Sequence, residues 1–294
     1  MRPFGLAGGS RLGDVMPTRP LIAPRLGQPH GRDLPTGATP LEALAADGVH
    51  LIGHRMGSGP EAVVFCHGFS GWSTKPRLVA VQSVLAERFT VFAFDFRGHG
   101  RSDGESTYGM EEHLDVDAAV QMARDSGFER VSTVGGSMGG VAVIRQAALL
   151  GGVDGVVAIS TPATWLGHDS VAVRRLARLT ATSAGRAALR ALGVRVTTRS
   201  VRSEDPADLI GRIAPSPVTV VHGRDDHYFD EEQAWLLYRR ANEPKRLVLA
   251  SRFGHAEDGF NEAFARRLSD LVASQQRPVE AVEVAEPQPA AAAR

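Results

Sequence analysis

One stretch decides how this chain folds: Val134-Gly135-Gly136-Ser137-Met138-Gly139-Gly140. It joins a short apolar run to a helix-length segment, and it places a serine among small neighbours. This arrangement matches the pattern G-x-S-x-G at a strand-to-helix turn, where small residues let the chain bend sharply and expose the serine hydroxyl. The helix amino terminus behind the turn favours negative charge that develops during a reaction. Although an ordinary glycine-rich turn can share this pentapeptide, its context predicts a nucleophile at Ser137.

Short apolar runs recur on both sides of this turn and alternate with helix-length segments. Continuous apolar runs are typical of strands that are buried on both faces of a sheet. These runs lie at residues 62–66, 89–94, 131–134, 156–159, 218–221 and 247–250. An antiparallel hairpin precedes them, because Asp47-Gly48 separates two strand-like segments. The order predicts an α/β fold with a mostly parallel sheet flanked by helices.

The folded domain is expected over residues 39–276 of the 294. The first 38 residues contain six prolines among glycines and arginines, and residues 277–294 are rich in Pro and Ala, so both ends are predicted to be disordered. An Ala-, Arg- and Leu-rich segment at about 162–213 interrupts the alternation of strands and helices. Its apolar residues have helical spacing, which predicts a small helical lid.

The composition excludes several classes of protein. Basic and acidic side chains number 33 each, so there is no electrostatic reason to expect a nucleic-acid partner. The single cysteine, Cys66, excludes an intramolecular disulfide, and no Cys/His cluster predicts a metal site. No run approaches the ~20 apolar residues that span a bilayer, and the amino terminus lacks the apolar region of a secretory signal. We expect a cytoplasmic protein without an integral membrane segment, whose oligomeric state is unknown.

A serine nucleophile needs a base and an acid, which in this kind of fold follow it in the order Ser, Asp or Glu, His. The predicted strand at 218–221 is followed by His222-Gly223-Arg224-Asp225-Asp226, and the strand at 247–250 is followed by a loop with His255. The carboxyl ends of strands are where α/β sheets gather their sites. Each element alone fits an ordinary turn or loop, but together they fill all three positions.

The candidate oxyanion hole follows the first parallel strand, in the loop His67-Gly68-Phe69-Ser70-Gly71. A tetrahedral oxyanion needs two converging N–H donors, and we expect these to be the backbone amides of Phe69 and Met138. The ring of His67 is expected to hold this loop through hydrogen bonds and not to transfer protons.

Together with the loop Asp95-Phe96-Arg97-Gly98-His99-Gly100-Arg101-Ser102, these motifs resemble the α/β-hydrolase superfamily, in particular its serine aminopeptidase and monoacylglycerol-lipase-like branch. The resemblance covers about residues 45–275 and implies the α/β-hydrolase fold. It implies Ser137 as nucleophile, His255 as base and Asp226 as acid, because Asp226 is the fourth residue of a G-x-x-D element. It also implies that Asp95 and Arg97 organise loops.

The surroundings of the site give further expectations. Trp72 follows the oxyanion loop and Trp165 follows the strand before the lid, so either can line an acyl pocket. Arginines exceed acidic residues in the lid, and we interpret them as the solvated faces of amphipathic helices, with recognition of anions as the alternative. The acidic residues Glu111, Glu112 and Asp115 open a helix, where their charge complements the helix dipole.

The sequence therefore predicts a serine hydrolase that cleaves small-molecule carboxylic esters without a cofactor. The sequence Gly-Gly-Ser-Met-Gly-Gly is similar to the Gly-Gly-Ser-Trp-Gly-Ser of proline iminopeptidases. Their His-Gly-Gly-Pro-Gly loop is absent, however, which makes peptidase action less favoured than ester hydrolysis. Thioesterase, amidase or aminopeptidase, haloperoxidase-like and acyl-transfer activities stay open as alternatives. From a different class, a ligand-binding member of the fold could keep the triad without turnover.

Overall fold

The computed structural model describes residues 33–165, 170–201, 204–275 and 282–285. These residues form a sheet of nine strands in the spatial order β1-β2-β4-β3-β5-β6-β7-β8-β9. The strands β1 and β2 form the predicted hairpin, β2 runs antiparallel to β4, and every later pairing is parallel. The α/β fold predicted from the apolar runs is thus confirmed. The strands are Thr39–Leu44 (β1), His50–Met56 (β2), Ala62–Cys66 (β3), Thr90–Phe94 (β4), Val131–Gly136 (β5), Gly155–Ile159 (β6), Val218–Gly223 (β7), Lys245–Ala250 (β8) and Val282–Ala285 (β9).

Helices cover both faces of the sheet. On one face α1 and α8 pack on a cluster that includes Val63 and Phe65, and on the other α2, α3 and α7 pack on Ala62 and Val64. Successive residues of β3 therefore face opposite layers, which explains why the strand is apolar throughout. The helices are Pro76–Ala86 (α1), Glu112–Asp125 (α2), Met138–Leu149 (α3), Val171–Ala181 (α4), Ser183–Ala191 (α5), Pro206–Leu209 (α6), Glu231–Arg240 (α7) and Glu262–Ser274 (α8).

The structure describes the predicted lid segment and the predicted disordered ends only in part. The helices α4 and α5 lie within the predicted lid segment, of which residues 166–169 and 202–203 lie outside the described residues. Most of both predicted disordered ends, residues 1–32, 277–281 and 286–294, also lies outside them. Residues 282–285 differ from the prediction, since they form β9 beside β8. Two β-branched valines in the sequence Val-Glu-Val-Ala are typical of a strand, although prolines surround them.

A buried ion-pair network holds the loop after β4. The guanidinium of Arg97 is 3% exposed, and its Nη2 donates to Oδ1 of Asp115 at 2.7 Å while its Nη1 donates to Oδ2 of Asp47 at 2.6 Å. Burial alone would lower the pKa of Arg97, but the two carboxylates outweigh it and raise the pKa above its ordinary value. Asp95 accepts hydrogen bonds from the amide and hydroxyl of Ser73, both at 2.7 Å. Asp95 and Arg97 thus have the loop-organising contacts that the resemblance implies.

Candidate active site

Ser137 lies at the turn between β5 and α3 with a backbone conformation that side chains rarely adopt, φ 53° and ψ −117°. The glycines at 135 and 139 are required because a side chain at either position would collide with the backbone. A Cβ on Gly135 would lie 2.2 Å from the carbonyl oxygen of Gly139, and a Cβ on Gly139 would lie 2.6 Å from that of Cys66. The close packing holds the serine in a strained conformation of the kind that clusters at functional sites.

The three side chains predicted to act together form one hydrogen-bonded chain. Nε2 of His255 lies 2.8 Å from the hydroxyl oxygen of Ser137, and Nδ1 of the same ring lies 2.8 Å from Oδ2 of Asp226. Ser137 comes from the end of β5, Asp226 from the loop after β7 and His255 from the loop after β8. Three segments that are distant in sequence therefore meet at the carboxyl edge of the sheet.

The environment of Asp226 keeps its carboxylate ionised and fixed. Burial alone would raise its pKa, but the hydrogen bond and charge of His255 and the amides of two following residues outweigh burial and lower the pKa. Its Oδ1 accepts from the amides of Tyr228 at 2.8 Å and Phe229 at 3.1 Å, so Oδ2 is left for the histidine. The neighbouring Asp225 is exposed. Of the two adjacent carboxylates, only Asp226 reaches the ring.

The two amides predicted as oxyanion donors belong to loops that approach Ser137. Met138 is the first residue of α3, and the amides of a first helical turn have no partner within the helix. Neither Phe69 nor Met138 donates its backbone N–H to any acceptor among the described residues. The loop of Phe69 lies against the turn, since a Cβ on Gly68 would be 3.3 Å from the carbonyl oxygen of Gly136. Among the described residues both N–H groups are thus free to donate to a ligand oxygen.

Two buried neutral histidines hold this loop. The amide of Phe96 donates to Nε2 of His67 at 2.9 Å, so the ring proton is on Nδ1, which donates to the carbonyl oxygen of Gly68 at 2.8 Å. His99 has the same arrangement, since its Nε2 accepts from the amide of Ser70 at 3.3 Å. Burial lowers the pKa of His67 to about 3 and also lowers that of His99. The contacts of His67 are the structural ones that we predicted for it.

A cavity of about 820 Å³ opens above Ser137. The predicted lid segment contributes apolar side chains to its wall, those of Val171, Leu176, Leu179, Leu189 and Leu192. Its charged lining includes Lys75, which pairs with Glu257 at 2.5 Å, and Arg175, which is exposed on α4. The space is mostly apolar and has room for an acyl chain.

Of the two tryptophans predicted to line this cavity, the structure brings only Trp165 to it. Trp165 is held beside the lid, because its backbone amide donates to Oδ1 of Asp205 at 2.8 Å. Trp72 does not line the cavity, and the expectation for its ring is corrected. Its ring packs under the ammonium of Lys75, 5.5 Å from the ring centroid. Because a residue that follows a loop in sequence can point to either side of it, proximity in sequence misplaced this side chain.

Sequence reasoning missed several aromatic residues that line the cavity. The ring centroid of Tyr228 lies 4.4 Å from that of His255, and His227 lies beside it. The sequence feature that could have identified His227 and Tyr228 is their position directly after Asp226. Tyr108, which also lines the cavity, follows the glycine-rich loop after β4 and had no such signal.

The part of the chain that the structure describes has neither a metal site nor a membrane-spanning helix. No group of three or more His, Cys, Asp or Glu residues there is placed to hold a metal ion. No helix there combines the length and the apolar character that crossing a bilayer requires.

Comparisons with known proteins agree with this fold. A family model described as alpha/beta hydrolase fold matches residues 61–192. The uncharacterized protein YfhR of Escherichia coli O157:H7 is 30% identical over 257 residues, which cover 82% of this chain and 80% of YfhR. Serine hydrolase BPHL of Mus musculus is 33% identical over 107 residues, 36% of this chain and 37% of BPHL.

Solved structures show the same fold. The Pyrococcus furiosus esterase Pf2001 superposes with a TM-score of 0.65 at 23% identity and covers 81% of this chain and 92% of its own. The esterase RhEst1 from Rhodococcus sp. ECU1013 superposes with a TM-score of 0.66 at 21% identity and covers 80% of this chain and 99% of its own.

Proposed function

The chain belongs to the α/β-hydrolase family, and from this premise we propose that it is a serine hydrolase that cleaves carboxylic esters through an acyl-enzyme on Ser137. The observation that carries the proposal is the hydrogen-bonded chain from Ser137 through His255 to Asp226, with both links at 2.8 Å. Nucleophile, base and orienting acid are already in line, which is the arrangement that serine acylation needs.

In the acylation half of the reaction, the Ser137 hydroxyl attacks the ester carbonyl carbon while Nε2 of His255 takes its proton. The carboxylate of Asp226 holds the ring with the proton on Nδ1 and stabilises the imidazolium that forms. The amides of Phe69 and Met138 stabilise the oxyanion of the tetrahedral intermediate. His255 then gives its proton to the leaving alcohol as the bond between the acyl carbon and the alcohol oxygen breaks.

In the second half, water attacks the acyl carbon, and His255 takes a proton from it in the same way. The bond to the Ser137 oxygen breaks, the proton returns to that oxygen, and the carboxylic acid leaves. The steps use only these side chains, the two backbone amides and water.

The cavity favours esters with an apolar acyl part. The leucines of the predicted lid and Val141 of α3 form an apolar part of its wall, and burying an apolar chain there gains about 0.8 kcal/mol for each methylene group. The names of Pf2001 and RhEst1, which are esterases, and of BPHL, a serine hydrolase, agree with this proposal.

The test uses a fluorophosphonate probe and esters of a single alcohol, with acyl chains from acetyl to dodecanoyl. Ser137 should be the labelled residue, and the Ser137→Ala variant should lose both labelling and ester turnover. Ser83→Ala on α1 is the matched control, because the Ser83 hydroxyl only donates to the carbonyl of Val79. It should behave as the wild type.

Three outcomes would contradict the proposal. Labelling that persists in Ser137→Ala would place the nucleophile elsewhere. Faster cleavage of an anilide than of the ester with the same acyl group would favour an amidase. Labelling of the wild type without turnover of any ester would favour a ligand-binding protein.

A further inference from the structure

A buried carboxylate shapes the turn that leads from the loop after β4 to α2. The side chain of Glu112 accepts hydrogen bonds from the Ser106 hydroxyl at 2.7 Å, from the amide and hydroxyl of Thr107 at 2.8 and 2.7 Å, and from the amide of Gly109 at 2.8 Å. These four donors balance a charge that is otherwise costly to bury. Glu112 therefore determines the path of residues 106–109, which is more than the complement to the helix dipole expected from the sequence.

This turn presents one side chain to the cavity at a conformational cost. Tyr108 has φ 62°, a left-handed conformation that is unfavourable for a bulky residue. Gly109 has φ 99°, and a Cβ there would lie 2.9 Å from the Cβ of Val141. Such strain costs of order 1–3 kcal/mol and persists where the surrounding structure imposes it. Here it brings the ring of Tyr108 to the wall of the cavity.

The ring of Tyr108 contacts the oxyanion loop on one side. It stacks on Phe69 with the centroids 5.4 Å apart and the planes at 22°. Phe69 also makes a perpendicular contact with the ring of His99, with the centroids 5.6 Å apart and the planes at 89°. Phe69 thus contacts two rings, and its backbone amide is one of the two proposed oxyanion donors.

The lid contacts the same pair of rings. Leu189 of α5 and two valines of the segment after it, Val194 and Val196, form a small buried cluster on which Phe69 and Tyr108 pack. The phenol hydroxyl of Tyr108 interacts with the side chain of Thr180 on α4. The backbone of the segment after α5 also bridges to the loops below, at His99 with Val194 and at Ser106 with Val196.

We propose that Tyr108 is a positioning residue that couples the lid to the oxyanion hole, because its ring fixes Phe69 and thereby the direction of the Phe69 amide. This role rests on the proposed function, in which that amide binds the oxyanion. The ring acts through Phe69 and needs no polar contact with substrate. Losing it lets the oxyanion loop move while the cavity above it stays open.

The experiment measures how fast a fluorophosphonate phosphonylates Ser137, and separates the maximal rate kinact from the binding constant KI. The Ser137 oxygen attacks phosphorus while Nε2 of His255 takes its proton, the P–F bond breaks and fluoride leaves, and the phosphoryl oxygen takes the place of the ester oxyanion. A misplacement of about 1 Å can cost ~100-fold in rate, so Tyr108→Leu should lower kinact by about 10-fold to 100-fold. Its KI should change by less than about threefold, since one lining residue out of many is altered.

Two further variants separate positioning from general damage. Tyr108→Phe keeps the stack on Phe69 and should restore kinact to within about threefold of the wild type. Tyr238→Leu removes a tyrosine ring on α7 outside the cavity and should leave kinact unchanged. In a double-mutant cycle, Phe69→Leu with Tyr108→Leu should lose little more than either change alone, because both act on one contact.

The outcomes are distinguishable. No labelling of the wild type would overturn the proposed function and this role with it. Normal labelling of the wild type with an unchanged kinact in Tyr108→Leu would overturn the positioning role alone. A rise in KI with kinact unchanged would make Tyr108 a lining residue only, and losses that add in the double variant would show that Tyr108 does not act through Phe69.

Discussion

Two regions close around Ser137, and they are built in opposite ways. The loops at the carboxyl ends of β3 and β4 are tied down by buried polar side chains, among them His67, Asp95 and Arg97. The lid above them has no buried side chain in α4 and only Gly185 and Leu189 buried in α5. The difference indicates where precision is needed: the loop after β3 carries the Phe69 amide that we propose as an oxyanion donor, whereas the predicted lid lines the cavity proposed for the substrate.

The largest effect should follow from a change at the acid of the proposed triad, Asp226, which lies in the loop after β7. Asp226→Asn removes the acceptor that keeps the ring of His255 in its productive tautomer. The corresponding change in a serine protease lowers kcat by about 10⁴, and we expect a loss of similar size here. Initial rates on the best ester substrate measure it.

Asp225→Asn is the matched control for this change. The two carboxylates are adjacent, but Asp225 is exposed and the side chain of Asp226 is buried against the histidine. The control should lose little in kcat. If both variants are folded by circular dichroism and Asp225→Asn loses more, the acid of the triad is misassigned.

The next effect concerns the stability of the loop side. Arg97→Met would leave the buried carboxylate of Asp115 without its partner, and breaking a buried ion pair in this way costs about 3–5 kcal/mol. Arg88→Met is the control, because Arg88 and Asp270 are exposed and 3.9 Å apart, a kind of pair worth about 0–1 kcal/mol. Urea unfolding measures both. Equal losses would mean that the buried network does not stabilise the loops.

The sequence predicts features set by a local pattern, and it does not predict those that depend on contacts between distant loops. The turn at Ser137 and the order of Ser137, Asp226 and His255 are local patterns at strand ends, so they can be read without a structure. The roles of Glu112 and Tyr108 depend on which loops meet, and no local pattern carries that information. Trp72 was misplaced for this reason, since following a loop in sequence does not fix the side to which a ring points.

A third prediction uses the buried histidines of the loop side. Burial lowers the pKa of His67 to about 3, whereas an unfolded histidine titrates near a pKa of about 6.5. The unfolded chain therefore takes up a proton first as pH falls. The contribution to stability is complete above about pH 6.5 and is lost progressively below it.

The measurement is the free energy of unfolding between about pH 6.5 and 4.5, above the range in which most carboxylates become protonated. One such histidine adds up to about 1.4 kcal/mol per pH unit to the slope. His67→Gln should flatten the slope by up to that amount, whatever its effect on stability at neutral pH. An unchanged slope would show that the ring of His67 is not held neutral by the fold.

The smallest effect should come from the lid, and it tests whether that region takes part in recognition. Arg174, Arg175 and Arg178 are exposed on α4, where screening by water and salt weakens any interaction with substrate. Replacing all three by glutamine should change kcat/KM by less than about twofold, for esters with an anionic acyl group as for neutral ones. Arg175 borders the cavity whereas Arg178 does not, so the two single variants form a matched pair. A loss confined to Arg175→Gln and to anionic esters, and diminished by added salt, would give the lid a part in choosing the substrate.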